Sequence, residues 1–305
     1  MDRPPLRATQ AALLCGMWAA SAFAQGKPMS RVFTAKAVEK YEIQLMLRAE
    51  IRGASTETVG EKTYVKPAVH SAQLALAWTS QRRVLEVLSD GSASIEESEA
   101  PVPSGCAVAP VADPGTRKLQ ESLQEICSRL RGMRTFRYEE EPNGLIRNLP
   151  AESGVTFDED APFLLALWLR RNLRPSVIFP ALPFRAGAGS QRPIHTRDMT
   201  GSETTEWMDS TGNASAAALH VVQQLSWPEP RGKSGFSSVG GTPPGETTFF
   251  ADSSTSVSLL DGAVLNATRT ASRETTRVLD PVPGLPRRPQ FSSKLTVIVT
   301  VRRIS

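Results

Sequence analysis

The chain has 305 residues, of which 40% are hydrophobic and 22% charged, an ordinary composition for a globular protein. This length is enough for one large β domain or two small ones. The formal net charge of +4 arises from basic residues scattered beside acidic ones, so it does not indicate a nucleic-acid-binding surface. The few histidines and cysteines form no cluster with metal-ligand spacing. We therefore expect no nucleic acid partner, no metal and no cofactor.

Residues 1–24 have the features of a secretory signal peptide. A basic start precedes the apolar residues 11–20, and a small-x-small pattern favours cleavage after Ala24. Lipoprotein processing at Cys15 and an uncleaved anchor are the alternatives. Cleavage would leave no transmembrane span, so we expect a secreted, periplasmic or cell-envelope protein with residues 25–305 as a single β-rich domain.

Cys106 and Cys127 are the two cysteines of the mature chain, and an even pair in an oxidising compartment favours one disulfide. The bridge would close a loop of about twenty residues and contribute roughly 3 kcal/mol in the chain-entropy model. Two buried free thiols are the alternative.

The N-terminal block, residues 25–99, has the alternating pattern of long β-strands. Apolar residues occupy every second position from Tyr41 to Ile51, which predicts a strand with one buried face. Residues 53–62 are interpreted as a polar loop, and a second alternating strand is predicted over 68–79. Further along, Asp90-Gly91 predicts a hairpin between two short strands, the first over 84–88.

The middle block, residues 100–184, begins with a proline-rich connector over 101–115 and contains a hairpin at Asn143-Gly144 that returns as a strand over 145–149. Apolar residues at helical spacing predict an amphipathic helix over 116–131. The acidic run Glu139-Glu140-Glu141 is interpreted as a solvated part of the hairpin.

Residues 160–175 predict a second helix, because acidic residues precede it, arginines occupy its last turn and Pro175 ends it. No polar side chain occurs from Phe163 to Leu169, which is typical of a helix enclosed by other structure. The prolines of the following apolar segment, Val177–Phe184, are incompatible with regular strand pairing. We expect that segment to lie extended across an open edge or mouth of the sheet.

The C-terminal block, residues 185–305, returns to the strand pattern. Alternation over 217–227 and 295–303 predicts two strands, and Asp261-Gly262 predicts a hairpin. The polar stretch 185–215 is interpreted as a loop with one short strand near its end. Together the blocks predict a mainly β (α+β) fold, in which a large curved antiparallel sheet or half-barrel wraps around one buried helix, with one amphipathic helix in addition.

Signals for catalysis are weak throughout the sequence. His195 and Asp198 share a serine-containing loop, but no Gly-x-Ser-x-Gly elbow accompanies them. Gly232-Lys233-Ser234 resembles the end of a phosphate loop, but Trp227 occupies the position of the required glycine. His220 falls on the solvent face of its strand. We therefore assign no catalytic residue, and a hydrolase without a recognisable motif is the third functional alternative.

Bulky apolar side chains are concentrated beside the proline-interrupted segment: Trp168, Phe179, Leu182 and Phe184. One interpretation is that they fill the core between helix and sheet. The other is that they line a groove for a lipid or other apolar ligand, since concave β surfaces host such sites.

The signal peptide, the alternation over 41–51, the helix and crossing segment over 160–184 and the strands over 245–303 together resemble the half-barrel proteins of the bacterial cell envelope. The resemblance is to LolA-like lipoprotein carriers and lipid-binding proteins, and to uncharacterised secreted proteins of similar layout. It concerns architecture and transfers no functional residue. It implies a non-catalytic protein that binds a lipid, another apolar ligand or an envelope component on its concave side. A structural or protein-interaction module of the envelope is the alternative.

Overall fold

The computed structural model describes residues 28–59, 62–108, 116–117, 120–121, 123–125, 134–149, 168–169, 171–196, 199–209, 215–228, 245–278 and 290–304, except for the side chains of 54–66 and 101–106. The predicted signal peptide and Cys127 lie outside the described residues.

Within these described residues, eleven strands form a single antiparallel sheet. Their bounds are β1 (Val38–Val59), β2 (Lys62–Val87), β3 (Ala93–Val108), β4 (Arg134–Glu140), β5 (Ile146–Arg147), β6 (Gly189–His195), β7 (Thr200–Met208), β8 (Ala216–Pro228), β9 (Glu246–Ser258), β10 (Val264–Val278) and β11 (Gln290–Arg303).

The first and last strands pair at the middle of this sheet. The spatial order is β5-β4-β3-β2-β1-β11-β10-β9-β8-β7-β6, so the chain winds outward from the centre in both directions. Strands β5 and β6 are consecutive in sequence but lie at opposite edges. The described residues between them, 148–149, 168–169 and 171–188, therefore lie on the connection between the two edges.

The predicted mainly β fold is confirmed, and one face of the sheet forms the main core. Because side chains alternate along a strand, each long strand contributes every second residue to this face. The buried residues of the face include Tyr41, Ile43, Leu45, Leu47, Ala72, Leu74, Leu76, Trp78, Phe249, Ala251, Ala267, Ala271, Val297, Val299 and Val301.

Strands β1 and β2 are longer than the sequence predicted. They pair without interruption from Val38–Arg83 to Val59–Lys62, so the predicted polar loop over 53–62 is wrong, as is the separate strand over 84–88. The distal part of β1 and β2, near residues 53–65, shows no apolar alternation because its residues are largely polar. Its threonine, valine and tyrosine residues nevertheless favour extended pairing.

The prediction of a proline-rich connector over 101–115 is also wrong for residues 101–108, which are part of β3. Strand β3 continues to Val108, and a shift in register between Leu76 and Trp78 leaves residues 102–105 outside the ladder with β2. Such a bulge accommodates proline, which cannot donate a ladder hydrogen bond.

The polar stretch 185–215 contains two strands, β6 and β7, instead of a loop with one short strand. Both strands lie at the edge of the sheet, where one side is open to solvent and polar residues are tolerated. The return strand predicted over 145–149 is limited to Ile146–Arg147.

The three predicted turns are confirmed by glycines with positive φ, at Gly91, Gly144 and Gly262. Gly144 is required for a second reason, because a Cβ atom there would lie 1.7 Å from the carbonyl oxygen of Val177. The β4–β5 hairpin thus makes a close backbone contact with the segment that crosses the sheet.

The described part of the predicted buried helix is helical only over 168–169 and 171–172, and its apolar residues are buried. The Leu173 amide donates to the Leu169 carbonyl over 2.8 Å. Trp168, Leu169 and Leu173 are all buried in the core of the sheet. The described residues of the predicted amphipathic helix, within 116–125, are also helical. Among the described residues, no helix is long and apolar enough to cross a membrane.

Residues 28–32 close one end of the sheet. Pro28 forms an isolated antiparallel bridge with Pro183, and the Arg31 amide donates to the Pro142 carbonyl over 2.7 Å. The Arg31 guanidinium donates to Glu39 over 2.6 Å. The N-terminal segment therefore contacts both the crossing segment and the β4–β5 hairpin.

Candidate functional site

The segment that leads to β6 crosses the inner, concave face of the sheet, whereas the sequence analysis placed Val177–Phe184 across an open edge or mouth. At one edge the Phe179 amide donates to the Asn143 carbonyl over 2.8 Å, in the β4–β5 hairpin. At the other edge the Gly187 amide donates to the Trp207 carbonyl over 2.7 Å, on β7. We call residues 168–188 the crossing segment. It occupies the part of the concave face where an open groove was predicted.

The four predicted ligand-binding residues lie in different surroundings within the crossing segment. Phe179 stacks on Trp207 with ring centroids 6.3 Å apart, and Phe184 contacts the same ring edge-on at 5.3 Å. Leu182 is half-buried, whereas Trp168 lies in the wall of a separate cavity. Trp207, which is fully buried, was not singled out from the sequence. Ligand binding by these residues stays a prediction.

Arg82 lies at the centre of a buried group of charged side chains on the inner face of β2. It pairs with Glu140, its Nη1 lies 3.3 Å from Glu39 Oε2, and its Nε donates to the Tyr138 hydroxyl over 3.1 Å. The same Nη1 donates to the Pro175 carbonyl over 3.0 Å. Arg82 therefore links β1 and β4 to the crossing segment.

Arg174 makes a second set of buried ion pairs from the crossing segment itself. It pairs with Glu99, lies 3.4 Å from Glu97, and places its guanidinium 4.2 Å from the centre of the Phe136 ring. Glu97 also accepts a hydrogen bond from the Tyr138 hydroxyl over 2.7 Å. The two arginines thus share Tyr138 and form one polar network, which fixes where the crossing segment lies.

Burial and charge shift the pKa values within this network in different directions. Burial opposes ionisation of Glu39, but the charges of Arg82 and Arg31 outweigh it and lower the pKa of Glu39 to about 2. Burial raises the pKa of Tyr138 well above its ordinary value, so its hydroxyl is neutral. Burial also raises the pKa of Glu99 in spite of the nearby arginines.

The interpretation of the acidic run 139–141 as solvated is wrong for Glu140, which is fully buried. Strand alternation supplies the reason. Phe136, Tyr138 and Glu140 occupy every second position of β4 and share the inner face, just as Arg82 continues the parity of Trp78 on β2. Continuing the two-residue alternation along each strand beyond its last apolar residue would have predicted from the sequence that these charged side chains are on the inner face.

Arg269 is a third buried arginine on the inner face, on β10 between Ala267 and Ala271. Its Nη1 donates to the carbonyls of Asn172 and Arg174 over 2.6 and 3.0 Å, and its Nη2 donates to the Ser176 carbonyl over 2.7 Å. It therefore caps carbonyl groups at the end of the helical turn, where cations are favoured.

A cavity of about 220 Å³ lies next to Arg269, between the crossing segment and strands β6 to β10. Its wall is mostly apolar and includes Trp168 and Phe249, with Arg171 and Arg269 as its charged members. The volume is below the range of about 300–1,000 Å³ that is typical of pockets for drug-sized ligands. It is therefore too small for a long-chain lipid.

The catalytic arrangement considered for His195 and Asp198 stays untested, because one of the two residues is not described. His195 is exposed on the edge strand β6, and Asp198 lies outside the described residues. His220 is on the outer face, as predicted, with its Nε2 2.9 Å from Asp252 Oδ1. His70 Nδ1 lies 3.3 Å from the Thr116 hydroxyl.

No group of three or more potential metal ligands comes together in the part of the chain that the structure describes. The predicted disulfide cannot be placed, because Cys127 and the side chain of Cys106 lie outside the described residues. It stays a prediction.

Comparison with known proteins gives no family for this chain. No family model and no curated protein matches it. Solved structures that match include the Vibrio cholerae type IV competence pilus secretin PilQ, which is 8% identical over 89% of this chain and 62% of that chain, with a TM-score of 0.18. Aeromonas hydrophila ExeD is 9% identical over 97% of this chain and 52% of that chain, with a TM-score of 0.18. The Escherichia coli K12 type II secretion system secretin GspD is 9% identical over 97% of this chain and 53% of that chain, with a TM-score of 0.19. The chain spans less than two thirds of the length of these structures. TM-scores this low establish neither a shared fold nor a shared function.

Proposed function

We propose that the protein is a non-catalytic structural or protein-interaction module of the bacterial cell envelope. The observation that carries this proposal is the projecting hairpin of β1 and β2. The signal-peptide pattern of residues 1–24 supports an envelope location.

The hairpin extends beyond the strands on either side of it. Strand β11 pairs with β1 only as far as Arg52, and β3 pairs with β2 only as far as Leu74. Among the described residues, no other strand pairs with residues 53–59 of β1 or 62–73 of β2. We call residues 53–68 the β1–β2 ribbon. Seven residues of a strand correspond to about 23 Å.

A ribbon of two strands is marginally stable by itself in water, because each strand leaves backbone donors and acceptors unpaired on its outer side. Pairing with a strand of another protein chain would satisfy those groups and order the ribbon. The edge strand β6 is less suited to such pairing. Its Pro193 has no backbone N–H group, and proline at an edge protects against strand addition.

The test is to shorten the ribbon. Gly53 and Ala68 face each other in the ladder, so replacing residues 54–67 by Asn-Gly would connect them through a two-residue turn. Native mass spectrometry of protein purified from its own envelope should show wild type bound to a second protein chain in fixed stoichiometry. The shortened variant should be monomeric.

The control for this experiment is the stability of the variant. The core residues of the concave face lie outside the ribbon, so the melting temperature should stay within about 2–4 °C of wild type, the shift that roughly 1 kcal/mol causes in a large domain. A shortened variant that folds and still carries its partner would contradict the proposal. So would a wild type that is monomeric and carries nothing.

Binding of a small ligand on the concave face is the second candidate function, and the cavity beside Trp168 favours it. A lipid carrier is less well supported, because the crossing segment fills most of this face with its own apolar side chains. What remains is a site for a small molecule.

A further inference from the structure

Arg269 differs from the buried Arg82 and Arg174 in having no acidic partner among the described residues. Arg82 and Arg174 each pair with two glutamates, whereas the bonds of Arg269 go to backbone carbonyls. Among the described residues no carboxylate pairs with it. Burial, together with the nearby charge of Arg171, lowers the pKa of Arg269 to about 9. A buried cation without a counter-charge is unfavourable.

The guanidinium of Arg269 also has hydrogen-bonding capacity left. Arginine carries five N–H groups, and the carbonyls of Asn172, Arg174 and Ser176 accept from three of them. Within the described parts of the chain, the remaining two have no acceptor. Arg269 lies in the wall of the cavity, so an acceptor placed there could approach it.

Arg171 adds a second cation to the same end of the cavity. It is exposed, and the described acid whose charge acts on the pKa of Arg171 is Glu203. That carboxylate is already occupied, because Arg192 Nε donates to it over 2.8 Å and Gln223 donates to its other oxygen. Within the part of the chain that the structure describes, Arg171 therefore has no close ion pair of its own.

The rest of the wall is mostly apolar, and its polar members are Asn172, Ser176, Gln223, Ser253 and Thr255. Trp168, Val177, Leu225 and Phe249 contribute to it, with Ala251 on β9. An apolar cavity of about 150 Å³ holds benzene. The present cavity, at about 220 Å³, would hold an apolar group somewhat larger than a six-carbon ring.

We propose that this cavity is a binding site for a small amphipathic organic anion. Arg269 and Arg171 bind its carboxylate, and the apolar wall that includes Trp168 encloses a chain or ring of about six to eight carbons. This inference rests on the second candidate function and is independent of the β1–β2 ribbon.

The experiment compares octanoate with octanol by isothermal titration calorimetry at neutral pH. The two probes share a chain length, and only octanoate is charged. Octanoate should bind with a stoichiometry of one, at least about tenfold more tightly than octanol, since a hydrogen bond to a charged group contributes that much or more.

Three variants locate the site. Arg171→Gln should weaken octanoate binding about tenfold and leave octanol unchanged, and its exposed position preserves the fold. Ala251→Leu should abolish binding of both probes by filling the cavity. The control is Arg48→Gln, which removes an exposed arginine on the outer face of β1 and should change nothing.

Equal affinity for octanoate and octanol would overturn the assignment of an anion and leave the second candidate function in place. Failure of both probes to bind would overturn both. Binding that Ala251→Leu does not reduce would place the ligand elsewhere and also overturn the inference.

Discussion

Arg82→Met is expected to lower the free energy of unfolding by about 3–5 kcal/mol, the cost of removing one partner from a buried ion pair. The substitution leaves Glu140 fully buried and Glu39 nearly so, with Arg31 as the remaining cation beside both, 2.6 Å from Glu39 and 3.7 Å from Glu140. It also removes the hydrogen bonds to Tyr138 and to the Pro175 carbonyl. Methionine roughly preserves the volume of the arginine stem, so the loss measures charge and hydrogen bonding more than packing. Urea unfolding followed by circular dichroism gives the value.

The control is the neighbouring residue of the same strand. Arg83 is exposed on the other face of β2, and Arg83→Met should change the free energy of unfolding by less than about 0.5 kcal/mol. Equal losses for the two variants would show that Arg82 does not occupy a buried network.

Acid is expected to destabilise the protein through Glu39. Its pKa is about 2 in the folded chain and 4.5 in its ordinary state. A carboxyl group with a lowered folded pKa stabilises fully above the ordinary pKa, and the contribution is lost as the pH falls from about 4.5 to about 2. The difference of roughly 2.5 units corresponds to about 3 kcal/mol. The free energy of unfolding of wild type relative to Glu39→Gln should therefore fall by about 3 kcal/mol between pH 6 and pH 2.

Glu42→Gln is the matched control for this measurement. Glu42 lies on the same strand with its side chain on the outer face, where Arg302 lowers its pKa through a hydrogen bond. Because that pair is exposed, 0.5 M salt should suppress its effect, whereas the effect of Glu39 should persist. A salt-sensitive contribution from Glu39 would contradict its burial between Arg82 and Arg31.

The fold could be predicted from the sequence wherever apolar alternation was regular. The strand from Tyr41, the turns at Gly91 and Gly262 and the burial of Trp168 followed from local pattern and turn chemistry. The polar ribbon of β1 and β2 and the edge strands β6 and β7 could not be predicted, because their residues are not sorted into buried and exposed faces. In such strands the pairing partner determines the structure, and periodicity carries little information.

The candidate site was predicted less completely than the fold. Trp168 was singled out for its size and lies in the cavity wall, but Arg269 was passed over as one basic residue among many. Arg269 alternates along β10 with the buried Ala267 and Ala271, and this pattern places its side chain on the inner face. Its contacts, however, are with residues of the crossing segment that lie 93 to 97 positions earlier in the chain. Contacts at that separation depend on the topology of the sheet.

The proposed small-ligand site depends on the crossing segment being a fixed closure of the concave face. A fixed segment leaves room for a small anion and not for a lipid, and directs larger partners to the β1–β2 ribbon. Buried hydrogen bonds of three arginines anchor it. Arg82 and Arg269 donate to its carbonyl groups, and Arg174, which belongs to the segment, donates to Glu99.

Native-state hydrogen exchange at the amides of Leu173 and Phe179 tests this closure most directly. These amides donate to Leu169 and Asn143, and neither bond belongs to the ladder of the sheet. If the segment is fixed, both amides should exchange only by global unfolding, with the same free energy as Ile43 at the centre of β1. Fast exchange of both amides while Ile43 stays protected would show that the segment opens independently of the sheet, and would contradict the account.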